Sequence, residues 1–473
     1  MKIEVLGRQN PWWTNLSNIE RDPFIEEYNA SPIKWRPSFL DSLKLEKDVV
    51  YIIYGPRQIG KTTSFKLIIK DLLSKKNIKP KQVLYLNCEE VTPPSPQNLA
   101  KLLDDYISWV RIDSSERLFI FIDEATYLKD WERGIKILSD RGRLKKITLL
   151  ATGSHVMGLR RGAERLPGRR GREVELDIFL LPLNFREYIA INKPELRVKL
   201  PVLLNWDLNS MFKSIQEISL FAEFINPLFE SFLRTGGFLR SIRDWVSLGQ
   251  IKADVYRLYK DAFIADLIRV GRRETIFKEL AQWILWKRQN PFEWTDAARE
   301  TYVGTYPTVR EYIEDGEAAF VWDIFYKVKE IGKPFRAPRS PKKVNFKDPF
   351  IFHSIRAWAL GYQNPNQAAE DFLKEPSNIG YIVENVVASH LKRLKSSEIF
   401  YWRNGGEIDF VIYKNGKKIS LIEVKYQAKI NPENAKILKK WGGGIILTRN
   451  FLHLEKNILF APVQYFLALL QTI

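Results

Sequence analysis

Eight residues constrain this chain more than any others: Gly55–Thr62, GPRQIGKT, which fits the spacing G-x-x-x-x-G-K-[ST]. The run before them, VVYIIYG (Val49–Gly55), has the apolar density of a buried strand. The run after them, TTSFKLIIKDLL (Thr62–Leu73), has the apolar spacing of a helix. A glycine-bearing loop between strand and helix is a phosphate cradle, because backbone amides turn inward and the helix N-terminus adds a favourable dipole. Gly55, Pro56, Arg57, Gln58, Ile59, Gly60, Lys61, Thr62 and Thr63 are therefore expected to hold the phosphates of ATP. In that arrangement Lys61 reaches the β- and γ-phosphates, and the Thr62 hydroxyl holds Mg²⁺.

Further apolar runs follow at Gln82–Asn87, Arg117–Asp123 and Lys145–Gly153, separated by helical segments. Strands alternating with helices predict an α/β fold with a mainly parallel sheet covered on both faces. RLFIFIDEATYLKDW ends its apolar run on Asp123–Glu124. An acid at a strand end holds the metal's water shell and its neighbour orients the attacking water, so Asp123 is the expected metal residue and Glu124 the general base. In ATGSH (Ala151–His155), Thr152 or Ser154 is placed to reach the γ-phosphate or the attacking water. RRGAERLPGRRGR (Arg160–Arg172) holds six arginines and one glutamate. Three readings stand open for it: a finger on a neighbouring subunit's nucleotide, a grip on DNA or RNA phosphates, or a solvated basic loop.

Composition bears on partner and compartment. Among 473 residues, 74 Lys+Arg against 56 Asp+Glu give a net charge of +18, which points to DNA as partner or to a generally basic proteome. One cysteine, Cys88, excludes a disulfide framework and points to a reducing, cytoplasmic setting. The four histidines lie far apart with no zinc-like spacing, so no structural zinc is expected. MKIEVLGRQNPWW lacks the continuous apolar core of a signal peptide. The closing run LFAPVQYFLALLQTI contains a proline and falls short of the ~20 residues that span a bilayer, so it reads as a buried strand and helix, with no membrane association.

Residues 1–45 are aromatic and punctuated, an arm over the next domain in which Trp12, Trp13 and Trp35 either stack on the adenine or pin the arm, with pinning favoured because aromatics are more often core than ligand contacts. Residues 190–270 read as helical, and 275–335 as short helices followed by AAFVWDIFYKV, an order compatible with a winged helix-turn-helix. Its would-be recognition helix, PTVREYIEDGEAAF, carries Glu311, Glu314, Asp315 and Glu317 against only Arg310, which favours a lid or subunit contact. The basic connector Lys333–Lys343 and Arg160–Arg172 are the better candidates for phosphate contacts.

The combination NPWW, GPRQIGKTT, IDEATYLKDW, TGSH, ERLPGRRG and LPLNFREY resembles a family of AAA-type P-loop ATPases common in archaea and also found in bacteria. In that family a C-terminal domain of long-uncharacterised function follows the ATPase core. The resemblance implies strand order 5-1-4-3-2, a helical lid, a winged-helix-like segment and a C-terminal restriction-endonuclease-like α/β domain. It divides the chain into 1–45, 46–190, 191–274, 275–345 and 346–473. It also implies that Arg169 or Arg172 belongs to the subunit-facing arginine loop, and a homo-oligomer is expected with it.

The last segment offers a second chemistry. Glu384 lies on a predicted helix, Asp409 in GGEIDFVIY, and Glu423-Val424-Lys425 on the strand ISLIEVKY, a pattern that resembles the PD-(D/E)xK nucleases. Two carboxylates at neighbouring strand ends bind Mg²⁺, and a lysine beside them positions water against a phosphodiester. Alternation puts Glu423 and Lys425 on one face, and Glu407, which shares a face with Asp409, is a candidate additional ligand. The resemblance implies that Glu384 completes the metal set from the helix. An active nuclease, a DNA-binding but inactive domain and a structural one all remain open. Together the expectation is a Mg²⁺-dependent ATP hydrolase acting on or regulated by DNA, extending to an ATP-controlled endonuclease in repair, recombination or defence. Its alternatives are a nucleotide-dependent switch that cuts nothing and a motor on branched DNA.

Overall fold

The computed structural model describes residues 3–75, 78–111, 116–154, 156–427 and 435–471. The chain divides into two compact units, Met1–Leu181 and Pro182–Ile473. In the first, β1 (Val49–Tyr54), β2 (Val83–Asn87), β3 (Leu118–Asp123), β4 (Ile147–Thr152) and β5 (Asp177–Phe179) form one sheet in the order β2-β3-β4-β1-β5. Every pairing is parallel. Read from the other edge this is 5-1-4-3-2, the order expected. All six residues of each of β1, β3 and β4 are buried, which is why these strands are dominated by apolar residues and lack polar alternation. The carboxyl ends of these three strands lie side by side, where open parallel sheets bind their ligands.

β2 is a sheet edge, and the aromatic arm covers it. The Asn10 side chain accepts from the Tyr85 amide at 2.6 Å and donates to the Tyr85 carbonyl at 2.8 Å, as a neighbouring strand would. The Gln9 side chain accepts from the Asn87 amide at 2.7 Å. Both Trp12 and Trp13 donate their indole N–H to the Val83 carbonyl, at 3.2 and 2.9 Å. Positions 83, 85 and 87 share one edge of the strand, so NPWW supplies side-chain partners to groups that would otherwise template aggregation. Trp12 and Trp13 are thereby tied to β2.

The second unit begins with helices, among them Leu208–Ser219, Ala222–Thr235, Leu239–Leu248 and Ala253–Arg269. Three more, Glu274–Lys287, Trp294–Glu300 and Tyr306–Ala318, precede β6 (Trp322–Tyr326), β7 (Val328–Glu330), β8 (Lys333–Arg336) and β9 (Lys342–Phe346). β6 pairs with β9 and β7 with β8, both antiparallel. The segment read as a connector is therefore mostly strand, and Lys343 is buried within it. The acidic side chains of Tyr306–Ala318 are turned to internal partners: Glu311 and Asp315 to Arg272, Glu314 to Arg310, and Glu317 to the Ile324 amide.

After the helix Pro376–Lys392 come β10 (Ser397–Arg403), β11 (Glu407–Lys414), β12 (Lys417–Lys425), β13 (Gly444–Thr448), β14 (His453–Glu455) and β15 (Ile458–Pro462), in the order β10-β11-β12-β13-β15-β14. β10, β11 and β12 are antiparallel neighbours, whereas β12, β13 and β15 run parallel. The chain closes with β15 and the buried helix Val463–Leu469, the strand and helix expected there. Among the described residues no helix is long and apolar enough to cross a membrane.

Candidate functional site

Two sites emerge, one in each unit. In the first, Gly55–Gly60 links β1 to the helix Lys61–Lys75. Gly60 has φ +99°, a conformation that glycine adopts at little cost. A Cβ on Gly55 would meet the Leu180 carbonyl oxygen at 2.3 Å, so the turn leaves no room for a side chain. Lys61 is buried and its ammonium donates to the Gly55 and Pro56 carbonyls, both at 2.9 Å. These bonds hold the amine over the loop.

Thr62 donates its hydroxyl hydrogen to Asp123 Oδ2 at 2.7 Å, joining the start of the helix to the end of β3. Tyr85 donates to the same oxygen at 2.9 Å, and the Glu124 amide donates to Oδ1 at 3.0 Å. Burial raises the Asp123 carboxyl, while the bonds from Thr62 and Tyr85 favour its anion. A hydroxyl and a carboxylate touching at this junction form the hard-oxygen donor set that Mg²⁺ takes alongside nucleotide oxygens and water. The residues present fit that ion.

Glu124 has φ +49° and ψ +38°, a left-handed conformation unusual for a residue with a Cβ and concentrated at functional sites. The Ser154 amide donates to its Oε2 at 2.9 Å and fixes the carboxylate. Thr152 instead turns into the sheet, fully buried, and donates to the Ile53 carbonyl at 2.9 Å. His155 lies outside the described residues. Sequence reasoning missed Tyr85, whose only signal is a hydroxyl in an otherwise apolar strand.

The arginine loop is largely paired within its own unit. Arg160 meets Glu164, Arg165 meets Asp130 and Glu132, Arg169 meets Asp140 at 2.8 Å, and Arg170 meets Asp177. The anionic company such a loop needs is thus supplied from nearby. Arg161 and Arg172 have no carboxylate partner among the described residues, and Arg172 is exposed.

The second site lies in the second unit. The helix Pro376–Lys392 carries Glu384, β11 carries Glu407 and Asp409, and β12 carries Glu423 and Lys425. All five come together, and a sixth residue joins them. Lys343 of β9 reaches Glu407, Asp409 at 3.2 Å and Glu384 at 3.6 Å. Lys425 pairs with Glu423 at 2.6 Å. Burial first, and then the Asp409 charge, pushes both Glu384 and Glu423 up to about 8. Burial alone would lower the Lys343 ammonium, but Asp409, Glu384 and Glu407 outweigh it and hold it raised. Among the described residues no three His, Cys, Asp or Glu side chains are arranged to hold a metal ion. Lys343 was not foreseen as part of this site because a basic stretch rich in proline reads as surface.

Residues 47–189 match a family described as an AAA domain, and residues 379–457 match a domain of unknown function, DUF4143. No curated protein matches significantly. Among solved structures, the chain is similar to a Walker-type ATPase of Pyrococcus abyssi at 13% identity, covering 72% of this chain and 95% of that one, with a TM-score of 0.38. The Aeropyrum pernix ORC1 protein, solved in complex with DNA, is similar at 11% identity over 77% of this chain and 93% of that one, TM-score 0.30. Thermotoga maritima RuvB, a Holliday junction branch migration motor, is similar at 15% identity over 74% and 95%, TM-score 0.27. Family match, sheet order and phosphate loop define the class: the first unit holds an AAA-type P-loop ATPase domain. The second unit holds the DUF4143 region.

Proposed function

We propose that this protein hydrolyses ATP with Mg²⁺ in its first unit and that DNA is the partner on which, or under whose control, it does so. The observation that carries the hydrolase reading is the junction of Thr62, Asp123 and the Lys61 loop, backed by Glu124 held in place by the Ser154 amide. Mg²⁺ held by Thr62 and Asp123 would neutralise charge on the β- and γ-phosphates. Gly55–Thr63 binds the phosphates through the loop, and Lys61 exchanges its loop carbonyls for phosphate oxygens. Glu124 orients water for attack and accepts its proton. Thr152 supports the loop through Ile53, so the contact from this strand end passes to Ser154. Arg172, exposed and without a carboxylate partner, is favoured over Arg169 as the arginine offered to a neighbouring subunit in a homo-oligomer.

DNA is supported by the net charge of +18 and by where part of it stands. The β7–β8 hairpin and the turn after it expose Lys329, Lys333, Arg336 and Arg339, whereas the acids of the helix before them are held by partners of their own, Glu311 and Asp315 by Arg272 and Glu314 by Arg310. Helices followed by a basic hairpin form a winged-helix-like segment at 275–345 in which the wing, not the helix, meets phosphate. We read the helix Pro376–Lys392 and the mixed sheet β10–β13 as a nuclease-like core and 191–274 as the lid; a helix followed by antiparallel and then parallel strands supports the first reading. The test is ATP turnover in Mg²⁺ with and without DNA, in the wild type and in Lys61→Ala. DNA-stimulated turnover that Lys61→Ala abolishes supports the reading; turnover indifferent to DNA leaves a nucleotide switch with another partner.

A further inference from the structure

A nuclease-like core leads one to expect a divalent metal at Glu384, Asp409 and Glu423. The donor set does not fit one. Asp409 Oδ1 faces the Lys343 ammonium at 3.2 Å, and Oδ2 accepts from the Val424 amide at 2.9 Å. Glu423 Oε1 accepts from Lys425 at 2.6 Å, and Oε2 from the Asp409 amide at 3.2 Å. Asp123 accepts hydrogen bonds at both oxygens too, so these bonds alone do not bar a metal; what sets this cluster apart is the Lys343 ammonium standing among its carboxylates. Glu384 Oε1 is buried without a hydrogen bond and faces only the Lys343 ammonium, 3.6 Å away.

The ammonium is built into its place. Lys343 is 2% exposed and begins a stretch of β9, Lys343–Phe346, that is buried at every position, while its neighbour Lys342 stays half-exposed. It comes from the β6–β9 pair, outside the helix and strands that carry the acids, and it meets three carboxylates. Mg²⁺ and Mn²⁺ need oxygen lone pairs converging at about 2.1 Å, and they cannot share that space with a second cation. A lysine buried among carboxylates is also costly to move, since leaving would strand the acids without a counter-charge.

We propose that Lys343 fills the cation position of this cluster with its own ammonium, so that the second unit keeps a nuclease-like core while excluding the metal a nuclease requires. The proposal rests on the nuclease-like reading only for the expectation of a metal. It gives the C-terminal cluster a built-in cation, suited to holding Pro376–Lys392 on the sheet and not to cutting a phosphodiester.

The probe is Mn²⁺ alone, titrated into the full-length protein without nucleotide and counted by electron paramagnetic resonance. Wild type and Asp409→Asn are expected to bind the same amount at submillimolar Mn²⁺. Lys343→Gln, with folding checked by its melting transition, is expected to gain about one Mn²⁺ per chain, lost again when Asp409→Asn is added. Mn²⁺ bound by the wild type and lost in Asp409→Asn would overturn the proposal even if Lys343→Gln fails to fold. A folded Lys343→Gln that gains nothing would overturn it too. Neither readout involves ATP or DNA, so failure here is separable from failure of the ATPase and DNA assignments.

Discussion

Lys343 and His390 are both buried and ionisable, yet their surroundings treat charge in opposite ways. Lys343 keeps its proton because carboxylates face it. His390 sits where Nε2 accepts from the Phe185 amide at 2.8 Å and Nδ1 faces the Val386 carbonyl at 2.7 Å, an arrangement only the neutral ring satisfies. Burial and the Arg393 charge lower it to about 3. The unfolded chain takes up a proton below pH 6.5 that the folded one refuses, so this contribution is complete above pH 6.5 and lost as pH falls towards 3. At pH 5 the loss amounts to about 2 kcal/mol. His390→Gln removes it, so the stability gap between wild type and variant should narrow by that amount from pH 7.5 to pH 5 in urea unfolding. A gap constant with pH would contradict the neutral-ring assignment. At the phosphate loop, Glu124→Gln should retain ATP binding and lose turnover by a factor on the order of 10²–10⁴. Loss of binding instead would make Glu124 a structural residue. The loop, Asp123 and Glu124 were legible because their chemistry is written in contiguous residues. Lys343 was not, because it lies 41 positions before Glu384 (384 − 343 = 41) and nothing in KKVNF distinguishes a buried lysine from a surface one.

β2 shows how an element depends on residues that are not part of it. Its free edge is satisfied by Asn10, Gln9, Trp12 and Trp13, and its Tyr85 hydroxyl touches Asp123. Asn10→Ala leaves the Tyr85 N–H and C=O unpaired in a buried setting and should cost about 2–4 kcal/mol in denaturant unfolding. A change below about 0.5 kcal/mol would mean that water or neighbouring backbone replaces the amide. The buried strands were legible as apolar runs, and their order followed from the family resemblance. β5 was legible only through the five-strand order and not as a range of its own; it is three residues long and only its central residue is even half-buried. β8 and β9 escaped because prolines and lysines obscured their alternation; tertiary burial of Lys343, not local propensity, settles that strand.

For the whole molecule, charge that looked uniform in the sequence proves unevenly available. Four of the six arginines in Arg160–Arg172 are paired with acids of their own unit and Lys343 is enclosed, whereas in and after the β7–β8 hairpin Lys329, Arg336 and Arg339 are exposed and only Lys333 meets a carboxylate, Glu330. If that hairpin grips DNA, replacing Lys333, Arg336 and Arg339 with Ala should weaken binding for all sequences alike. The slope of log affinity against log salt should also fall by up to about 0.9 for each phosphate contact removed on duplex DNA. An unchanged slope would move the interface elsewhere. The most direct test of the central claim is ATP hydrolysis by the purified protein in Mg²⁺, with duplex, single-stranded or branched DNA and without DNA, run beside Lys61→Ala. The prediction is turnover that rises with DNA and vanishes in Lys61→Ala. Turnover that persists in Lys61→Ala, or its absence from the wild type under every condition, would contradict it.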